Sequence, residues 1–174
     1  PSVPAAGIDQ NICAAVPAST SLSAVTPVTG TGTWSQISGP AIAIIADPNN
    51  PASAVSGLIQ GVYQFGWSIS NGSCTSATDT VVINISVPAT AFAGNNDLIC
   101  ETQTSYQLLN ATATNYANLQ WTTSGSGVFS SNSILNPFYT PGVSDIAAGT
   151  VTLTLTAIGN TPCPNAVSSM VLSI

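Results

Sequence analysis

The chain of 174 residues contains no lysine, no arginine and no histidine, and each absence closes off a class of function. Without cations nothing is available to neutralise phosphates, so neither nucleic acid nor an anionic membrane surface is an expected partner. Without histidine or lysine there is no imidazole or amine base, no Ser-His-Asp or Cys-His pair and no Schiff-base nucleophile. The missing arginine removes the usual anion clamp. Lysine-based isopeptide cross-links are ruled out in the same way. Charged residues make up 3% of the chain, against the usual quarter, and all six are acidic. Solubility therefore rests on Ser, Thr, Asn and Gln. No apolar run reaches the roughly 18 residues of a membrane helix, so no membrane insertion is expected. The chain is expected to be no enzyme and to carry no cofactor.

Four cysteines are present in a chain rich in Thr, Val, Gly and Pro, a composition that reads as disulfides formed in an oxidising compartment. There is neither CxxC spacing nor a His partner to suggest zinc. The cysteines also expose an internal duplication. "AGIDQNIC" at 6–13 matches "AGNNDLIC" at 93–100, an offset of 87, and Trp34 and Trp121 repeat at the same offset. Cys74 and Cys163 follow the first cysteines by 61 and 63 residues, and each is followed 11 residues later by Ile85 or Ile174. Two copies of one unit account for the chain, at 1–88 and 89–174. "SVP" at 2–4 echoes "SVP" at 86–88, so residues 1–4 read as the tail of a preceding unit and the chain as a slice of a longer array.

Within each unit the apolar residues alternate. Tyr63, Phe65, Trp67 and Ile69 share one face of 61–71, and Val151, Leu153, Leu155 and Ala157 share one face of 149–160, opposite Thr150, Thr152, Thr154 and Thr156. Period two with β-branched residues marks half-buried strands. Further strands are predicted at 19–25, 32–38, 41–46 and 52–58, and the final strand of each unit at 79–87 and 168–174, with no helix. Turn signals such as "TGTG", "SGP" and "DPNNP" separate them. About seven short strands per unit, with a Trp on an early strand, predict an all-β chain of two tandem immunoglobulin-like antiparallel β-sandwiches.

The pattern "AGxDQxIC … GTGTWSxxSGP … DPNNPxSxVSGL … GxYxFxWxxSNGxC … DTVVIxI" resembles the PKD-like, immunoglobulin-like repeats of large secreted surface proteins of Bacteroidetes, including gliding and adhesin proteins exported by the type IX system. The first copy follows the pattern nearly throughout. The second keeps its Cys, Trp and final-strand positions but has "GSGVFSSNSILNPFYTPG" in place of the middle segments. The resemblance implies an extracellular, cell-surface sandwich serving as a stalk or adhesive module, and it supplies no catalytic residue.

Four cysteines allow three pairings, and the repeat favours Cys13–Cys74 and Cys100–Cys163, each copy closing on itself. Trp34, Trp67 and Trp121 are read as core. Exposed aromatics are sought instead at Phe129, Phe138 and Tyr139. Asp97 and Glu101, beside Asn95 and Asn96, are the candidate calcium ligands of the second copy. The first copy has Ile8, Asp9, Gln10 and Ala14 at the equivalent places, which argues against a cation essential to the fold. Thr80 in "DTV" is the candidate O-glycan acceptor. The expected function is a non-enzymatic spacer or lateral-contact element of an adhesive fibre. Its expected partners are neighbouring repeats and like chains side by side. The alternative is a carbohydrate-binding or adhesion module gripping surface polysaccharide, or an accessory domain of a secreted hydrolase.

Overall fold

The computed structural model describes residues 2–72 and 74–174, and of 74–76 the backbone only. The chain divides into two compact units, Pro1–Val87 and Pro88–Ile174. The first unit contains β1 (Gln10–Cys13), β2 (Ala18–Ser21), β3 (Thr31–Ser38), β4 (Ile44–Ile45), β5 (Ala54–Leu58), β6 (Gly61–Asn71) and β7 (Cys74–Ser86). They form a four-stranded sheet in the order β1-β7-β6-β3 and a three-stranded sheet in the order β2-β5-β4.

The alternation in the sequence explains why these layers meet. Tyr63, Phe65, Trp67 and Ile69 on β6, with Val81, Ile83 and Ile85 on β7, are all at most 1% exposed and form one core with Val55 and Leu58 from the other sheet and Leu22 just past β2. Full burial of a large apolar side chain contributes about 1.5–3 kcal/mol, so this face dominates the unit's stability. Trp34 lies opposite Trp67 across β3 and β6, their rings 5.0 Å apart and tilted by 45°. Residue 32 has to be glycine because a Cβ there would run into the indole ring of Trp67.

The second unit contains β8 (Thr90–Phe92), β9 (Asp97–Leu98), β10 (Tyr106–Gln107), β11 (Thr112–Thr114), β12 (Tyr116–Thr123), β13 (Val128–Phe129), β14 (Phe138–Thr140), α1 (Val143–Ala148), β15 (Thr150–Gly159) and β16 (Ala166–Ser173). A four-stranded sheet, β12-β15-β16-β9, stands beside a three-stranded β10-β14-β13 and a two-stranded β11-β8. Its core replaces the aromatic row of β6 with Val151, Leu153, Leu155 and Ala157, packed with Trp121, Tyr139, Met170 and Leu172.

The six-residue helix corrects the expectation of an all-strand chain. The segment "PGVSDIAAGT" carries the signals for it: Asp145 at the third helical position accepts a bond from the Gly142 N–H, and Gly149 ends the helix in the left-handed region at φ +70°. A single turn and a half is too short to show helical periodicity.

In both units the first strand of the main sheet runs parallel to the last. β1 pairs with β7 over Gln10↔Ile83 to Cys13↔Ser86, and β9 pairs with β16 over Leu172↔Asp97 and Ser173↔Leu98. Replacing Gly32 by alanine is expected to destabilise the first unit by about 1–3 kcal/mol through forced displacement of Trp67. Urea unfolding followed by Trp fluorescence measures this, with the second unit's transition unchanged.

Candidate functional site

The repeated octamer is a clasp that fastens the head of each unit to its last strand. Ala6 and Ala93 are buried, and the next residues, Gly7 and Gly94, take φ of +94° and +104°, a turn that L side chains rarely adopt. The Ala6 N–H donates to Asp79 Oδ2 at 2.8 Å, and the Ala93 N–H donates to Ser168 Oγ at 3.0 Å. Two residues past each glycine, Asp9 Oδ1 accepts from the Val82 N–H and Asn96 Oδ1 from the Val171 N–H, both at 2.8 Å. The two copies thus make the same bonds with different side chains. The Ala6 and Thr80 amides hold the Asp79 carboxyl below the usual carboxylate range.

The parallel register overturns the expected disulfide pairing. Cys13 lies beside Ser86 at the end of β7, whereas Cys74 begins that strand. The 12 residues between span about 40 Å, against the roughly 7 Å that a disulfide allows between Cα atoms. In the second unit Cys100 follows Ile99, whose N–H bonds Ser173 at the end of β16, while Cys163 lies in the turn before that strand. The length of β16, roughly 23 Å, separates them. Cys100 is accordingly an exposed free thiol, whereas Cys13 and Cys163 are disulfide-bonded. The side chain of Cys74 lies outside the described residues.

The acids serve as acceptors for the backbone. Asp145, 2% exposed, receives the N–H groups of Ser126, Gly127 and Gly142 at 2.8, 3.0 and 2.9 Å and the Tyr139 hydroxyl at 2.7 Å. Burial would raise its pKa, but these four bonds outweigh it and hold the carboxyl below its ordinary value. Burial, with the Asp145 charge added, pushes the Tyr139 phenol up to about 12.

Of the two candidate calcium ligands, Asp97 has both oxygens engaged, by the Leu98 N–H at 2.8 Å and the Tyr106 hydroxyl at 2.9 Å. These bonds lower its pKa, and burial together with Asp97 lifts the Tyr106 phenol to about 12. Glu101 is exposed in the following turn, and no cluster of three metal-ligating side chains occurs among the described residues. Thr80 is exposed on β7 beside the clasp acid Asp79.

The three tryptophans are 0–2% exposed, so none offers a ring face to a sugar. The Trp34 and Trp121 indoles donate to the carbonyls of Pro51 and Ile134, and their amides to those of Pro48 and Asn132. "SSNSI" in the second copy therefore takes the place of "DPNNP" in the first. Of the three aromatics sought at the surface, Tyr139 is fully buried, Phe129 packs between Trp121 and Tyr139, and Phe138 is 46% exposed. An open groove of about 540 Å³ runs past Thr122, Val128, Phe129 and Asn132. Among the described residues no helix is long and apolar enough to cross a membrane.

The arrangement of strands is shared with solved structures. The insect immune protein hemolin matches 97% of this chain at 8% identity and a TM-score of 0.57, and the titin I-band fragment I67–I69 matches 98% at 11% identity and 0.50. The fold is immunoglobulin-like. A PKD domain in solution matches 50% of the chain at 20% identity, with a TM-score of 0.43 and 88% of its own length covered. The chain spans 45% of the hemolin structure and 65% of the titin fragment. No protein-family model matches it, and no curated protein does.

Among the acids of this immunoglobulin-like chain, Asp145 has the most to lose on neutralisation. Asp145→Asn should cost the second unit about 3 kcal/mol, because buried amides lose a charged acceptor. The folded-state pKa lies below that of the unfolded chain, so this contribution is complete above about pH 4 and is lost as the pH falls through the lower, folded value. Thermal unfolding from pH 7 to pH 2 should show the second unit's stability falling below pH 4 in the native chain and a flatter profile in the variant.

Proposed function

We propose that this chain is a non-enzymatic, load-bearing module of a long extracellular surface protein, built from two tandem immunoglobulin-like, PKD-like repeats and acting as a stalk or spacer of an adhesive fibre. The observation that carries this reading is the parallel pairing, within each unit's main sheet, of its first strand with its last. A repeat pulled by its two ends then has the hydrogen bonds of its terminal strands loaded along the strand axis, all together, instead of peeled one at a time. The clasp adds side-chain bonds from Asp9 and Asn96 to the same strands. Within the repeated octamer, the side chains of Asp9 and Asn96 serve that fastening.

Disulfide-bonded Cys13 and Cys163 support a working compartment outside the reducing cytosol, and the lack of Lys and Arg leaves no site for a trypsin-like protease. Weak charge repulsion favours like chains side by side. Export through a type IX system fits the sequence pattern shared with Bacteroidetes repeats.

Single-molecule pulling from the two termini tests this. Reduced chain should give two separate unfolding events, the second unit yielding at the lower force because β9 contributes two ladder pairs against four for β1. Asp9→Ala should lower the first unit's force. Gradual extension at low force, without separate unfolding events, would overturn the reading.

A further inference from the structure

The stretch that joins the last two long strands of each unit holds an asparagine three residues before a cysteine, Asn71 before Cys74 in the first unit and Asn160 before Cys163 in the second. The two asparagines occupy equivalent places in unlike settings. Asn160 precedes the β-branched Thr161, and its Nδ2 donates to the Asn115 carbonyl at 3.1 Å. Asn71 is the only asparagine of the chain that precedes a glycine, and among the described residues none hydrogen-bonds its side-chain amide. Asn71 and Gly72 are both exposed at the tip of the β6–β7 hairpin, whose last paired residues are Asn71 and Cys74. Gly72 takes φ +59°, and a Cβ on it would meet nothing within 4 Å, so no neighbouring group crowds the residue that follows Asn71.

We infer that Asn71 is a site of covalent self-modification, at which the side-chain amide is exchanged for a carboxyl through a cyclic imide with Gly72. The Gly72 backbone nitrogen gives up its proton to solvent base and attacks Cγ of Asn71. The bond from Cγ to the side-chain nitrogen breaks and ammonia leaves. Water then opens the ring at either carbonyl, leaving aspartate or, with the main chain rerouted through the side chain, isoaspartate. Glycine permits the approach, because a Cβ on the attacking residue obstructs ring closure. Asn160 has the opposite setting, a stiff β-branched neighbour and an amide already fixed on Asn115. The product adds a seventh acid to a chain that has six and no cation. The nearest core residue of β6 is Ile69, two positions away, so the change stays at the hairpin tip. Load-bearing plays no part in this chemistry: a chain that carries no force converts just as readily, and a chain that never converts can still give two unfolding events.

The test uses the whole native chain, incubated at mildly alkaline pH in heavy-oxygen water and sampled by anion-exchange chromatography. A more acidic species should accumulate, and chymotryptic peptide mapping by mass spectrometry should place the heavy oxygen at residue 71. Asn71→Gln should lose that species, Gly72→Ala should slow its appearance, and Asn160→Gln should leave it unchanged. Circular dichroism checks that each variant folds, and the native chain's own peptide map reads residue 71 directly where a variant does not. The same chain unfolded in urea gives the rate without the fold. An acidic species that survives Asn71→Gln, heavy oxygen carried by another asparagine in place of residue 71, or an unconverted Asn71 in the native chain, whether or not the urea-unfolded chain converts, overturns the inference.

Discussion

The parallel apposition of the first and last strands is the constraint from which the rest of each unit follows. A strand that runs alongside the chain's exit strand has to be fastened there, because β1 is four residues long and β9 only two, too short for ladder bonds alone to hold. The buried alanine, the left-handed glycine and the acceptor two residues later supply that fastening in both copies. The same apposition sends a cysteine at the end of the first strand to the opposite end of the sheet from a cysteine at the start of the last. A pair of cysteines near the two ends of a repeat therefore cannot staple that repeat.

A chain without cations has to find other partners for its carboxylates. Asp9, Asp79, Asp97 and Asp145 all accept from backbone amides, and two of them also accept from tyrosine hydroxyls. Hydrogen bonds to a carboxylate are stronger than those between neutral groups, so an acid at a loop crossing is an efficient way to fix irregular backbone. Asp145 shows the principle at its fullest, since one buried carboxylate holds the 126–127 loop, the start of α1 and the Tyr139 phenol together. These four carboxylates are separate internal ties, Asp97 among them, which the sequence offers as a calcium ligand.

Much of the fold was legible because strand periodicity survives in a single sequence. The alternation of 61–71 and 149–160 places β6 and β15 to within a residue or two, and the offset of 87 aligns the two units. Three things were hidden. The helix α1 is too short to show a period. The role of Asp9 and Asn96 depends on an acceptor and a strand amide more than 70 residues apart, which no local pattern marks. The disulfide pairing was misjudged because repetition fixes equivalence between cysteines and says nothing of which sheet end each occupies; only the direction of β1 against β7 decides that.

The comparison of the two copies shows what the repeat conserves physically. Asp79 and Ser168 are chemically unlike, yet both receive the amide of the buried alanine. "DPNNP" and "SSNSI" share little sequence, yet both present carbonyls to the amide and indole of the equivalent tryptophan. A row of aromatics in one core becomes a row of aliphatics in the other. The invariant element is the position of the hydrogen-bonding partner, set by backbone geometry, and side chains of several kinds satisfy it.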